Sequence, residues 1–374
     1  MTFVYLAIAA LCVATLLLLL AVAGLRACFT RLRSGWLKRT LWWTLASLPV
    51  HALVTLPLGL AIFATRIVHT RLDEQGYAGP RLDADGAWQM QSRESLLAER
   101  KGEAQPDAAT LDAARQRAIA LRSSDGIDLR AFVVAPRSAP PRATAILAHG
   151  LFRSALELEP VGAMFRDAGC EVVLLELRNH GGSGRTTASF GFREANDVLA
   201  AVDWARGRDD LARQRPLILF GVSLGTAAVG FAAPRVEDLA GVVVDAPLTD
   251  AIATAHRMLG DGPRGRRGFV IPQPIRSLTL TALELVAGID LAADRPGDAL
   301  ATLPPSVQVL VIGGGADRRM PPEELQALFE KLPQDPSHKS IWIRANADHG
   351  DVWKVDPEGY REQILRFVER VAPR

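Results

Sequence analysis

From residue 118 onward, short apolar runs bounded by turn residues alternate with stretches of helical periodicity, and few folds accommodate that rhythm. An Asp125-Gly126 turn joins the runs 118–121 and 127–134 as a hairpin. Further runs follow at 144–147, 171–177, 217–220, 241–244, 307–312 and 340–343. Being apolar at consecutive rather than alternate positions, they must be covered on both faces, as the strands of a parallel sheet are. Residues 160–168 and 194–205 supply helices between them, Pro160 being tolerated in a first turn. The expected class is therefore α/β, with a mostly parallel sheet flanked by helices. One stretch, about 248–303, breaks the alternation and is too long for a plain crossover. It is expected to form a cap insertion.

The N-terminal part obeys a different logic. Its first seventy residues contain no Asp or Glu, but carry Arg26, Arg31, Arg33, Lys38, Arg39 and Arg66. The whole chain is formally +2, so the remaining thirty-seven basic and forty-one acidic residues leave everything after it at net −4. Residues 2–25 are uncharged, long enough to cross a hydrocarbon core of about 30 Å at about 1.5 Å per residue. A second uncharged run, 40–65, includes His51, Pro49 and Pro57, and proline is better tolerated in a membrane helix than in a soluble one. Residues 1–70 thus read as a transmembrane hairpin. A cleaved signal peptide fits less well, because no basic region follows Met1 and the apolar run is too long.

Five of the six basic residues lie in or next to the connection between the runs, which places it in the cytoplasm by the positive-inside rule. Both ends of the hairpin then face outward, so the C-terminal domain is expected to be periplasmic or extracellular, on a bacterial inner membrane. Trp36, Trp42 and Trp43 stand where an interfacial aromatic belt would. Residues 71–116 are polar and sprinkled with Gly and Pro, and read as a tether in which 88–101 has an amphipathic helical pattern.

The near-neutral charge excludes a strongly basic nucleic-acid binder. Cys12, Cys28 and Cys170 are too few and too scattered for a disulfide framework or a cysteine zinc site. His51, His69, His256 and His338 show no clustered ligand spacing, so no metal is expected. Arg264, Arg266, Arg267 and Arg276 in the insertion suggest an anion site. Only five of the 43 basic residues are lysine, however, so arginine richness is general to the chain and a solvated charge cluster is the simpler reading.

The string with chemical content is Leu217-Ile218-Leu219-Phe220-Gly221-Val222-Ser223-Leu224-Gly225-Thr226: an apolar strand, Gly-x-Ser-x-Gly, then small residues opening a helix. A serine hydroxyl is a weak nucleophile unless exposed beside a base, and a sharp strand-to-helix turn exposes it. An acid and a base should follow in that order. Asp317 stands just past the strand that runs into Gly313-Gly314-Gly315, and His349 follows the last strand. Ser223, Asp317 and His349 thus all sit beyond strand carboxyl ends, where sites form in open α/β sheets. Asp245, at the end of another strand, is an alternative acid, whereas Asp348 beside the histidine is poorly placed. The strand before His149-Gly150-Leu151 brings a second loop, and the amides of Leu151 and Leu224 are the expected oxyanion donors. His149 and His180 read as structural, one opening that turn and the other in a loop at the pocket rim.

These features together resemble the α/β-hydrolase superfamily, in its lysophospholipase-like and serine-aminopeptidase-like branch. The resemblance rests on the Asp-Gly hairpin, His149-Gly150, Arg178-Asn179-His180-Gly181-Gly182-Ser183, Gly221 to Gly225, Asp317 and His349-Gly350-Asp351, and spans about 118–372. It implies an eight-stranded sheet in the order 1-2-4-3-5-6-7-8 and hydrolysis through an acyl-enzyme, with neither metal nor organic cofactor. The expected organisation is a hairpin at 1–70 (spans about 2–25 and 40–65), a tether at 71–116 and a hydrolase domain at 117–374 with its cap. The expected activity is cleavage of a carboxylic ester or thioester of a small-molecule or lipid-like acyl substrate. A peptidase or acyltransferase on the same residues, or a silent membrane scaffold, remain the alternatives.

Overall fold

A computed structural model of the chain describes residues 35–67, 70–73, 76–77, 80–82, 88–90, 118–136, 139–208, 214–261 and 271–373. The first described element is a long apolar helix built of α1 (Gly35–Val50), a π-helical turn (His51–Thr55) and α2 (Leu56–Ile67). Pro49 and Pro57 bracket the π turn. Neither can donate a backbone N–H, and each ring crowds the preceding turn, which displaces the hydrogen-bond ladder by one residue. The Leu56 N–H accordingly reaches back five residues to the His51 carbonyl. Within this helix Lys38–Thr65 is long and apolar enough to cross a membrane. It is the one such helix among the described residues. The expected span at 2–25 and most of the basic connection lie outside them.

The centre of the molecule is an eight-stranded sheet, whose strands are β1 (Ala118–Arg122), β2 (Asp128–Val134), β3 (Ala143–Ala148), β4 (Cys170–Glu176), β5 (Leu217–Val222), β6 (Leu239–Asp245), β7 (Gln308–Gly314) and β8 (Lys339–Arg344). Their order is β8-β7-β6-β5-β3-β4-β2-β1. β2 is antiparallel to both β1 and β4, and every other pairing is parallel. This is the expected order, and the runs of consecutive apolar residues explain the layering. Along β6, Val242 and Val244 enter one core while Val243 enters the other, and Ile218 and Phe220 of β5 alternate with Leu217 and Leu219 in the same way. Helices α3 (Glu159–Asp167) and α9 (Pro357–Val371) cover one face. Helices α4 (Ala195–Arg206), α5 (Leu224–Ala232) and α8 (Pro322–Lys331) cover the other.

Between β6 and β7 the chain leaves the sheet for α6 (Ala251–Asp261) and α7 (Gln273–Ala287). Two compact units result. One joins the described part of Met1–Arg66 to Ala255–Asp290, and the other comprises Ile67–Thr254 and Leu291–Arg374. Within the first unit, α7 packs on the π turn of the apolar helix. Ahead of the hydrolase-like sheet the structure departs from the helical pattern read at 88–101. Trp88–Met90 is instead a strand, antiparallel to Pro80–Leu82, and the rest of that stretch lies outside the described residues. Thr70–Asp73 pairs in parallel with His180–Gly181. At Trp88–Met90, backbone pairing with Pro80–Leu82 overrides the helical periodicity of the sequence.

Candidate active site

Ser223 occupies the single residue between β5 and α5, at φ 53° and ψ −118°. A non-glycine residue rarely adopts this conformation, and it holds here because the neighbours over-determine it. The Ser223 N–H donates to the Asp245 carbonyl at 2.9 Å, and the Thr226 N–H and hydroxyl both donate to the Ser223 carbonyl. The flanking glycines are a packing requirement. A Cβ on Gly225 would lie 2.2 Å from the Ala148 carbonyl oxygen, and one on Gly221 would lie 2.4 Å from that of Gly225. Any larger residue would force β5, α5 and the end of β3 apart.

The remaining members arrive from the next strands. Asp317 follows β7 and is buried, and His349 follows β8 and is largely buried. Gly314 lets the two loops meet, since a Cβ there would be 2.3 Å from the Ala347 carbonyl oxygen. His349 Nδ1 lies 2.7 Å from Asp317 Oδ2, and His349 Nε2 lies 2.8 Å from Ser223 Oγ. A carboxylate only accepts, so Nδ1 carries the imidazole proton and Nε2 is left to accept from the serine hydroxyl. Asp317 is itself held by the Arg319 and Met320 N–H groups, which donate to Oδ1 at 2.8 and 3.0 Å. With three donors on two oxygens, its charge is satisfied without solvent.

The two other acids considered from the sequence are engaged elsewhere. Asp348 is exposed and accepts from its neighbour's amide, His349 N–H, at 2.8 Å. Asp245 is fully buried and accepts from the Tyr360 hydroxyl of α9 at 2.9 Å, while its Oδ1 has no hydrogen-bond partner. Burial pushes its carboxyl up to about 6, and raises the Tyr360 hydroxyl as well. Tyr360 carried no sequence signal of this role, because the contact joins residues far apart in the chain.

The topology also places the second loop. β3 and β5 are neighbours in register Gly221 with Ala148, so the turn after β3 lies beside the serine. Sequence order reverses between these two strands, and ligands bind at such switch points. Leu224 opens α5, so its N–H is among those without an intrahelical acceptor. Leu151 follows His149-Gly150 in the turn after β3. Gly150 is less constrained than its sequence context suggests, for a Cβ there would meet Ser223 Cβ at an ordinary 3.4 Å. His149 is buried, donates from Nδ1 to the Gly150 carbonyl at 2.8 Å and accepts at Nε2 from the Leu177 N–H at 3.2 Å. Burial holds it well below the usual histidine range, so it stays neutral. His180 is likewise buried, edge-on to His149 at 4.7 Å, rather than at a rim.

A larger electrostatic feature escaped the sequence reading. Arg178 is fully buried and binds two carboxylates: Asp197 at 2.6–3.1 Å and Asp125 at 2.6–2.8 Å. Its backbone N–H adds a further bond to Asp197 at 2.8 Å. The guanidinium holds the Asp125 carboxyl well below the usual carboxylate range. This clamp ties the loop after β4 to α4 and to the β1–β2 turn. Among the described residues, no group of three or more His, Cys, Asp or Glu side chains is placed to hold a metal ion.

Comparison with known proteins agrees with this architecture. A sequence model of the alpha/beta hydrolase family matches residues 145–363. The uncharacterized protein YqkD of Bacillus subtilis (strain 168) is 26% identical over 258 residues, covering 68% of this chain and 79% of that protein. Among solved structures, the Pyrococcus furiosus esterase Pf2001 superposes with a TM-score of 0.55 at 20% identity, covering 68% of this chain and 90% of that one. The alpha/beta hydrolase GrgF from Penicillium sp. sh18 superposes at 0.52 and 17% identity, covering 68% and 98%. The family match spans more than half of the chain and contains β4 to β8, most of β3, the serine turn and both loops described above. The chain belongs to the alpha/beta hydrolase family.

Proposed function

We propose that this protein is a membrane-anchored serine hydrolase that cleaves carboxylic ester or thioester bonds through an acyl-enzyme. The observation that carries the reading is the hydrogen-bonded series Ser223 Oγ, His349, Asp317, at 2.8 and 2.7 Å. His349 Nε2 takes the serine proton as Oγ attacks the acyl carbon. The oxyanion that forms is held by the Leu151 and Leu224 N–H groups. Asp317 fixes the imidazole tautomer and stabilises the imidazolium. His349 then protonates the departing alcohol or thiol, leaving the acyl group on Ser223. A water molecule enters, gives its proton to His349, attacks the acyl carbon and releases the acid with the proton returned to Ser223.

The likeness in fold to the Pyrococcus furiosus esterase Pf2001 is consistent with ester chemistry. Anchoring is supported by Lys38–Thr65, and the expected first span and basic connection would complete a hairpin with its loop in the cytoplasm. Steady-state hydrolysis of a short nitrophenyl ester by the detergent-solubilised full chain tests the activity. Ser223→Ala and His349→Ala should each lose at least about a thousandfold in kcat with unchanged circular dichroism. Equal turnover by wild type and Ser223→Ala would remove the reading and leave the silent scaffold.

A further inference from the structure

We propose that Thr226 and Tyr360 are positioning residues for the nucleophile, acting through the loop Asp245-Ala246-Pro247-Leu248 after β6, which grips the serine turn at both ends. The inference rests on the reading of Ser223 as the nucleophile and goes beyond it, because neither residue carries out a chemical step. Two backbone outliers meet at this loop. Ser223 is at φ 53° and Ala246 at φ 50°, and neither is a glycine. Left-handed backbone at a residue with a Cβ persists only where its surroundings over-determine it. The bonds that do so here converge on one peptide and one hydroxyl.

The peptide is Asp245–Ala246, a crossbeam between the strands that deliver the nucleophile and the acid. Its carbonyl accepts from the Ser223 N–H at 2.9 Å, and its N–H donates to the Ile312 carbonyl of β7 at 2.9 Å. Asp317 follows five residues after Ile312. The side chain on the crossbeam is fixed as well, since the Tyr360 hydroxyl of α9 donates to Asp245 Oδ2 at 2.9 Å. Tyr360 is fully buried and stands edge-on to Trp342, with ring centroids 6.1 Å apart. Trp342 belongs to β8, the strand that precedes His349. The hydroxyl is that of Thr226, which is also buried. It accepts from the Leu248 N–H at 2.8 Å, and its one proton goes to the Ser223 carbonyl. The loop after β6 therefore holds the Ser223 N–H directly and the Ser223 carbonyl through Thr226.

Gripped at both ends, Ser223 is kept from relaxing to negative φ. Rotation there would swing Cβ and carry Oγ out of its 2.8 Å contact with His349 Nε2. The hydroxyls of Thr226 and Tyr360 are engaged with partners inside the fold. Their loss reaches catalysis only through the aim of Oγ, and so falls on kcat rather than on KM.

The test uses the full chain in detergent. Thr226→Val keeps the shape but removes the hydroxyl, Thr226→Ser retains it, and Tyr360→Phe releases the Asp245 side chain. Met164→Ala truncates a buried residue of α3 and serves as a control that loses stability without touching the loop. For each, kcat and KM on a short nitrophenyl ester are measured with the rate of Ser223 modification by a fluorophosphonate, well below the unfolding midpoint. The expected result is that kcat and the labelling rate fall together by at least about tenfold in Thr226→Val and in Tyr360→Phe, with KM within about twofold of wild type. Thr226→Ser should recover most of the loss. Wild-type kcat in either Thr226→Val or Tyr360→Phe, a change confined to KM, or an equal fall in Met164→Ala would overturn the inference and leave the Ser223 reading standing. Absence of any Ser223-dependent turnover in the wild type would instead remove that reading, and the inference with it.

Discussion

Asp245 shows how much one buried carboxyl can matter. Its backbone carbonyl accepts from Ser223 N–H, its side chain is anchored by Tyr360, and its second oxygen is unpartnered. Burial raises its folded-state value to about 6, against an ordinary value near 3.9 when unfolded. Between these values the native protein binds more protons than the unfolded chain, so stability falls as pH rises. The favourable contribution is complete below about pH 4 and is lost as pH rises through about 6. Asp245→Asn keeps an acceptor for Tyr360 but cannot ionise. It should flatten the pH dependence over this window and add up to about 3 kcal/mol above it, from about two pKa units at 1.36 kcal/mol each. Urea melts from pH 4 to 7.5 measure this, and a parallel offset at every pH would contradict it. The same residue shows what geometry adds to sequence. Asp317, just past its strand, is the acid the sequence favours, with Asp245 at the end of another strand as the alternative, and it is Asp317 that lies 2.7 Å from the histidine.

At the scale of elements, the strands were legible because each is a run of apolar residues closed by turn formers, and successive apolar residues of the central runs enter opposite cores. The serine turn was legible because two glycines flank it, each against another backbone. The Arg178 clamp was not, because its partners lie 53 and 19 residues away in sequence and carry no local pattern. The clamp can be tested directly. Arg178→Ala leaves the Asp197 carboxyl buried without its cation, and breaking a buried pair in this way costs about 3–5 kcal/mol. Chemical denaturation should show a loss of that size with little change in the slope against denaturant. A loss below about 1 kcal/mol would mean that Asp197 finds solvent or another donor. Equally invisible in the sequence was the partner of the insertion. Its apolar stripe predicts a helix packed on something, but the choice between sheet and N-terminal helix is a long-range one.

For the whole molecule, the division of charge is the informative quantity. The net charge of +2 is the sum of an acid-free N-terminal segment and a remainder at −4. It therefore records the expected orientation in the membrane and carries no information on substrate charge. On the proposed topology a phosphatase reporter fused after Arg374 should be active outside the cytoplasm, and a green fluorescent reporter at the same point should be dark. The reverse pattern would invert the hairpin without affecting the chemistry. The central claim, that this fold presents an activated serine, is tested most directly by mass spectrometry of the full chain after treatment with a fluorophosphonate. The account predicts one adduct, mapped to Ser223, absent in Ser223→Ala and strongly slowed in Asp317→Asn. A folded wild-type protein that takes up no adduct, or takes it up at another residue, would contradict it.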